Sequence, residues 1–445
     1  MMSEQSPGYV SHRVGPVEFP VPGSWETTYG ENYAVFVKPI VGVTYFQTNL
    51  IVRALPRRPG ASMAWYSTAA LGADTGLLHE CRFVSDDLWQ GEHGTGRMHV
   101  VLHRKELTQV VCQRWLLPAG ANLVEVTASY GLDDAVQEEP LLRAVVSAMS
   151  IDADAPRVGD PADLPGHEPR PDADMSAATS EPVEDLTKLQ SVNRWGLHGP
   201  VLTAGTIDFM IGAAERERGF GMLEIGKFRQ DIDALHGLGL MDGRGRWTRL
   251  GNQVTDGFRN RRFYAQVTLS FGGARSQLDV YAGSIMATMI TGPGFHGLVD
   301  GEAFDPDRRP HELMGLTTVP GAVAQWVGLS PAWTQGTEVT MNATDFYGAL
   351  RAGGLPSSAG GGCPPGFEAY WDQPWVEWTV GVAEMERSVR FVNAGSAGHF
   401  AVEDLDDGMR VRLVPAPSFS VWQELVALFD AAVVHAALRE GAEQS

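Results

Sequence analysis

At 445 residues the chain exceeds one ordinary hydrophobic core, so two or three domains are expected. Its composition, 44% hydrophobic and 20% charged, is that of a soluble globular protein, and a formal charge of -20 at pH 7 excludes a broad attraction to phosphate backbones or anionic lipid. Cys81, Cys112 and Cys363 form no Cys-x-x-Cys pair and have no histidine at ligand spacing, which excludes a disulfide framework and offers no structural zinc site.

The opening "MMSEQSPGYVSHRVGPVEF" has neither a charged leader nor an apolar run with a cleavage site. No later segment is expected to reach the roughly 18 uncharged apolar residues that cross a bilayer, so a cytoplasmic location is expected. Residues 15–151 form the first expected domain. β-rich runs lie at Tyr33 to Val37, Thr48 to Ala54, Met98 to Leu102, Thr108 to Leu116 and Asn122 to Ser129, rich in Val, Ile, Thr and aromatic residues. Helices are expected at Met63 to Leu71 and Glu139 to Met149, with Pro140 in the first turn of the second. A strand meander with two helices predicts an α+β domain with an antiparallel sheet.

"FPVPGSW", "NLIVRAL", "TQVVCQRWLL", "LVEVTASY" and the helix before "SAMSI" together resemble the PsbP/DcrB-like fold over about 135 residues. That resemblance implies a binding or chaperone-like domain. Residues 152–185, dominated by Pro, Asp, Ala and Glu, cannot bury enough surface to offset ordering and are expected to be an acidic disordered linker.

The third segment, 186–445, opens with "IDFMIGAAERERG" and a helix at Glu224 to Gly237. The stretch "DALHGLGLMDGRGRWTRLG" follows, with Leu235, Leu238 and Leu240 expected inward and Gly243 and Gly245 making the reversal, and then a helix at Arg249 to Arg259. A long hairpin is expected from Phe263 to Phe271 through "GGAR" to Ser276 to Thr291, because paired glycines supply the positive φ of a tight turn. Beyond it come "VTMNATDFYGAL", the Gly-rich "LPSSAGGGCPPG" loop with an exposed Cys363, and a strand block from Trp375 to Phe391. "RVRLVPAPSFSVWQELVALF" closes the chain as a strand, a proline break at Pro415 and Pro417, and a helix capped by Ser418 or Ser420.

This ordered set resembles the EspG-type chaperones of type VII secretion over some 250 residues. The resemblance implies an α/β domain with a central antiparallel sheet, no catalysis, and a cytosolic adaptor holding secreted helical clients of the PE/PPE or WXG kind. The candidate partner-binding residues are Trp371, Trp375 and Trp378, together with Met286, Met289, Ile290 and Phe295, beside Ile285, since large aromatics and adaptable methionines serve interaction surfaces.

For catalysis and metals the expectation is none, and no cofactor is expected. There is no G-x-S-x-G, P-loop, dinucleotide fingerprint or HExxH. His198, His236, His296, His311 and His399 are scattered, and the pairs Asp86/Asp87, Asp133/Asp134 and Asp406/Asp407 are expected to solvate loops. Two other readings compete. One is a transcriptional regulator using a winged-helix-like segment 224–262 with its run of arginines, although no nucleic-acid partner is expected; the other is a structural or immunity-type partner protein.

Overall fold

The computed structural model describes residues 8–40, 42, 46–91, 94–105, 108–159, 184–186, 189, 193–196, 199–216, 220, 222–302, 305, 307–334, 338–353 and 373–443. Most of the expected linker (160–183), the Cys363 loop, Trp371 and His198 lie outside them. Two compact units emerge. One comprises Met1–Asn193 with Ser330–Gln335 and Pro417–Ser420; the other comprises Arg194–Leu329, Gly336–Ala416 and Val421–Ser445. Both are α+β, built on antiparallel sheets.

The first unit runs β1 (Tyr9–Val14), β2 (Val17–Pro22), β3 (Glu26–Tyr29), β4 (Tyr33–Val37), β5 (Asn49–Pro56), α1 (Met63–Leu77), β6 (Arg82–Gly91), β7 (Gly94–Lys105), β8 (Thr108–Ala119), β9 (Asn122–Gly131), α2 (Ala135–Ser147) and β10 (Ser150–Ile151). Seven strands pair in the order β3-β4-β5-β9-β8-β7-β6, and β1-β2-β10 form a small second sheet. The central β8 is buried on both faces. Leu116 and Leu123 meet Met63, Trp65 and Tyr66 of α1 on one side, while Trp115 on the other lies edge-on to Trp89 at 6.1 Å. Ser62 caps α1 by accepting from Trp65 N at 3.2 Å, which fixes its start at Met63 as expected. Helix α2 begins earlier than expected, after a 3-10 turn at Leu132–Asp134, so Pro140 sits inside it rather than in its first turn.

The second unit runs β11 (Val201–Thr203), α3 (Ala204–Ala214), α4 (Met222–Lys227), α5 (Arg229–Gly237), α6 (Arg249–Arg259), β12 (Phe263–Phe271), β13 (Ala274–Ala282), β14 (Met286–Thr291), α7 (Phe295–Val299), β15 (Arg308–Gly315), α8 (Val319–Trp326), β16 (Val339–Asn342), α9 (Ala343–Ala352), β17 (Val376–Val382), β18 (Arg387–Asn393), β19 (His399–Leu405), β20 (Arg410–Ala416) and α10 (Ser418–Glu443). Ten strands form one sheet, β11-β15-β14-β13-β12-β17-β18-β19-β20-β16.

Three expected elements divide. The Glu224 to Gly237 helix breaks at Phe228 into α4 and α5. The Ser276 to Thr291 strand turns at Gly283, where a Cβ would meet the Asp256 carboxylate at 2.2 Å, and becomes β13 and β14. The Trp375 to Phe391 block turns at Ala383–Met385, helped by Glu386 at φ 50. In the stretch after α5, Gly239 and Gly245 both adopt φ +71, so Gly239 takes the reversing role expected of Gly243. Leu235 and Leu240 point inward as expected. Gly251 and Gly257 let α6 approach closely: a Cβ would lie 1.9 Å from Leu240 O in one case and 2.2 Å from Tyr281 O in the other.

The expectation that no segment is long and apolar enough to span a bilayer does not hold, because Ser418–Ala442 in α10 meets that length and composition. The core helix of a folded domain has the same character. Val421, Trp422, Leu425, Leu428 and Phe429 are buried, and the Phe429 ring lies 6.2 Å from Phe263.

Candidate functional site: a polar valley on the large sheet

Strand register sorts the side chains of the ten-stranded sheet onto two faces. One face carries Val267, Leu269, Leu278, Val280, Trp378, Val380 and Phe391, all buried. The other changes character along the sheet. At one end Tyr281, Ile290 and Leu313 pack against α3, α5 and α6. At the far end Val392, Phe400, Val402, Val411 and Leu413 are covered by α9 through Phe346, Ala349 and Leu350.

Between these two helical covers the same face becomes polar. Gln266 lies opposite Asp279, Thr268 between Gln277 and Thr379, and Ser270 opposite Glu377. Arg275 and Arg309 complete a cavity of about 570 Å³. It is a valley floored by sheet.

Of its charged groups, Asp279, Arg309 and Glu377 are paired within the protein, while Arg275 is exposed. Asp279, 4% exposed, accepts from the Tyr264 hydroxyl and Gln277 Nε2, each at 2.6 Å, on Oδ1 and from Arg309 at 2.8 Å on Oδ2. Burial raises the Tyr264 hydroxyl well above its ordinary range and the bond to Asp279 raises it further, so Tyr264 stays a donor. On the opposite bank, Arg390 donates to Glu377 at 2.6 Å, to both Asp404 oxygens at 2.9 Å and to the Tyr347 hydroxyl at 2.9 Å. Burial works against its charge, but Glu377 beside it holds the guanidinium more firmly charged than usual. The lining thus combines the exposed Arg275 with uncharged groups on Gln266, Thr268 and Ser270, of which Gln266 Nε2 already donates to the Tyr264 hydroxyl at 3.2 Å.

The residues proposed from sequence lie elsewhere. Trp375 and Trp378 are each 1% exposed: Trp375 sits in the core beneath α9, and Trp378 stacks on Phe391 at 4.7 Å. Met289, Ile290 and Phe295 are buried, Met286 is half-buried, and only the neighbouring Ile285, at 70%, is well exposed. Met289, Ile290 and Trp378 fill cores because both faces of the sheet are covered at their positions, while Trp375 precedes β17 and Phe295 begins α7. The valley was legible in a different signal. "FYAQVTLSF" alternates strictly, and its polar set Tyr264, Gln266, Thr268 and Ser270 has no charged residue, which marks a face that is neither core nor ordinary surface.

A second polar group lies in the first unit and corrects the expectation for Asp86. Asp86 sits in strand β6, not in a loop, and is fully buried with Arg97 and His99. The Ser67 hydroxyl bonds Asp86 Oδ2 and His99 Nε2, each at 2.9 Å, and His99 Nε2 is 3.3 Å from Asp86 Oδ1. Arg97 reaches Glu184 at 3.4 Å and lies over the Trp333 ring at 5.2 Å. Burial drives the Asp86 carboxyl well up and the His99 ring well down. Ser, His and Asp are thus brought together, but with the serine bonded to both partners and the whole set sealed from solvent. Its geometry is that of a structural network. By contrast Asp133, Asp134, Asp406 and Asp407 do lie in turns.

The arginines of segment 224–262 are largely engaged within the protein. Arg229 pairs with Asp233 at 3.0 Å, Arg261 with Glu384 at 3.6 Å and Arg262 with Glu440 at 3.0 Å, while Arg259 donates to Ala214 O at 3.0 Å. His311 is buried with Nδ1 3.1 Å from Pro200 O. Among the described residues no group of three His, Cys, Asp or Glu side chains is placed to hold a metal ion.

No protein family matches the chain, and no curated protein does. Solved structures similar to it include the Ran-binding protein Mog1p of Saccharomyces cerevisiae, 14% identical over 33% of this chain and 96% of that one, with a TM-score of 0.26. PsbP of the cyanobacterium Synechocystis is 11% identical over 34% of this chain and 96% of its own, with a TM-score of 0.26. A protein of Bacteroides thetaiotaomicron is 13% identical over 60% of this chain and 84% of that one, with a TM-score of 0.21. The first two likenesses concern the N-terminal third, where a PsbP-like arrangement was expected.

Proposed function

We propose that the chain is a non-enzymatic cytoplasmic adaptor that holds a helical client protein, in the manner of the EspG-type chaperones of type VII secretion. The observation that carries this reading is the valley itself: a strip of a large sheet that no described residue covers, flanked by helices on both sides and lined by Gln266, Thr268 and Ser270. The end of a helical hairpin presents unpaired backbone N–H and C=O groups, four at each helix terminus. Amide and hydroxyl side chains on a rigid floor can satisfy both kinds, and of the neighbouring charges Asp279, Arg309 and Glu377 are already paired while Arg275 can reach a helix C-terminal carbonyl. A small client of the PE/PPE or WXG kind, which ends in such a hairpin, fits this chemistry.

Affinity purification of the full chain from its native host, with mass spectrometry of what accompanies it, tests the reading. Small helical exported proteins, lost when Thr268→Arg fills the valley, are the expected result. Retention of the same partners by the Thr268→Arg protein overturns the valley as their site, and recovery of no exported protein overturns the secretion role. A DNA reader using segment 224–262 would instead bind DNA with an affinity that falls steeply with salt.

A further inference from the structure

We propose that the first unit carries a binding site for a small uncharged apolar molecule of about the size of indole, in a cavity where β7 and β8 part. The ladder between these strands ends at Arg97 and Leu116, whereas β8 stays paired with β9 as far as Ala119 and Asn122. Pro118 offers no N–H for a further rung. Strand β7 runs on to Gly94 paired only with β6, and the space left beside β8 is a cavity of about 210 Å³. Trp89, Leu117, Pro118, Val146, Met149 and Ile151 are among the residues that line it.

The walls of this cavity are fixed. The Trp89 ring stands edge-on to the fully buried Trp115 at 6.1 Å and carries the Arg143 guanidinium over it at 5.5 Å, while Arg143 is itself paired with Glu139 at 3.7 Å. Leu117, Pro118 and Val146 are buried and form the floor. Gly94 keeps the space beside them clear. Its φ is +125, and a Cβ there would lie 3.4 Å from Pro118 Cγ, so any longer side chain would enter the cavity. The exposed lining residues, Gln90, Gly91, Gly94 and Ser147, mark the mouth.

The class of ligand follows from the lining. The buried floor offers dispersion contacts and no counter-charge, so an ionised group resting on it would lose its hydration without a partner. An apolar cavity of about 150 Å³ takes one benzene, and about 210 Å³ admits a second fused ring. The indole wall of Trp89 favours an aromatic guest, whose ring can stack offset on it or meet it edge to face. At the mouth, the Gln90 amide and the Ser147 hydroxyl can bond one neutral polar substituent. A fused bicyclic aromatic molecule meets these conditions together.

Calorimetric titration of the full chain with indole at two temperatures tests the site. Saturable binding whose enthalpy becomes more negative on warming is expected, the mark of apolar burial. Ser147→Phe and Met149→Trp, which fill the cavity from its mouth and from its half-buried wall, should each weaken binding at least about tenfold. Indole-3-acetate, which adds a carboxylate, should bind the parent at least about tenfold more weakly than indole. In methyl-labelled parent protein, NOEs from bound indole should reach the methyl groups of Val146 or Ile151, a readout that requires no variant to fold. Absence of saturable binding, equal binding of the acid, or NOEs to neither residue overturns the proposal, as does undiminished binding in both filled variants.

Discussion

Strands β6 and β7 of the first unit and strands β12, β13 and β17 of the second both place polar side chains where a sheet would ordinarily carry apolar ones. The first group, Asp86, Arg97 and His99, is fully buried and charged or chargeable; the second, Gln266, Thr268 and Ser270, is solvated and neutral. Desolvated charges must be paired to be tolerated, so the first arrangement can hold only one conformation. Neutral groups on a wet floor keep their hydrogen-bonding capacity for something else. Polarity on a sheet therefore signals structure in one place and availability in the other, and burial separates the two.

The largest expected effect lies on the sealed side. Arg97→Ala leaves Glu184 buried without its guanidinium and should cost about 3–5 kcal/mol in urea unfolding of the first unit. Adding Glu184→Gln should recover part of that loss; a loss below about 1 kcal/mol in the single variant would break the contrast.

Asp87, next to Asp86 on β6, comes second. Burial pushes its carboxyl up to about 6, above its unfolded value of 3.8. The folded state therefore holds the proton more tightly, and the favourable contribution is complete below about pH 4 and lost as pH rises through about 6. Asp87→Asn should raise stability at pH 8 by about 2 kcal/mol and leave it nearly unchanged at pH 4. Equal effects at both pH values would show that the carboxyl is not strained by burial.

Third is Asp279→Asn at the margin of the valley. It weakens the bond from Arg309 and should cost about 1–2 kcal/mol, read as a lower unfolding midpoint of the second unit. Smallest is Thr268→Ala, which should change stability by no more than about 0.5 kcal/mol while weakening client binding. A large stability loss there would make the valley a second structural network.

Much of the fold was legible because the strongest local signals agree with the tertiary structure. Helix α6 spans Arg249–Arg259 as expected because Thr248 caps it, accepting from Gly251 N at 3.1 Å. Strand β12 spans Phe263–Phe271 as expected because its alternation matches a sheet with one apolar face. The interior breaks at Phe228, Gly283 and Ala383 were missed, since each depends on a neighbour distant in sequence or on a residue that tolerates helix and turn alike. The candidate site was the least legible part. Tryptophan and methionine look the same in a core as on a binding surface, and here the core holds them. The valley needs the register of three strands before Gln266, Gln277 and Thr379 become neighbours.

The ends of the two sheets are finished differently. The ten-stranded sheet stops in strands of 3 and 4 residues, β11 and β16, too short to template another chain. The seven-stranded sheet ends in β6, which is 10 residues long. A register shift between Phe83 and Ser85 interrupts its ladder with β7, and the Asn193 side chain accepts from Phe83 N at 3.0 Å and donates to Phe83 O. A primary amide has the donor and acceptor of one peptide group, so Asn193 imitates a single residue of a neighbouring strand and then stops. At that one position the margin of the sheet is paired by a side chain rather than by another strand.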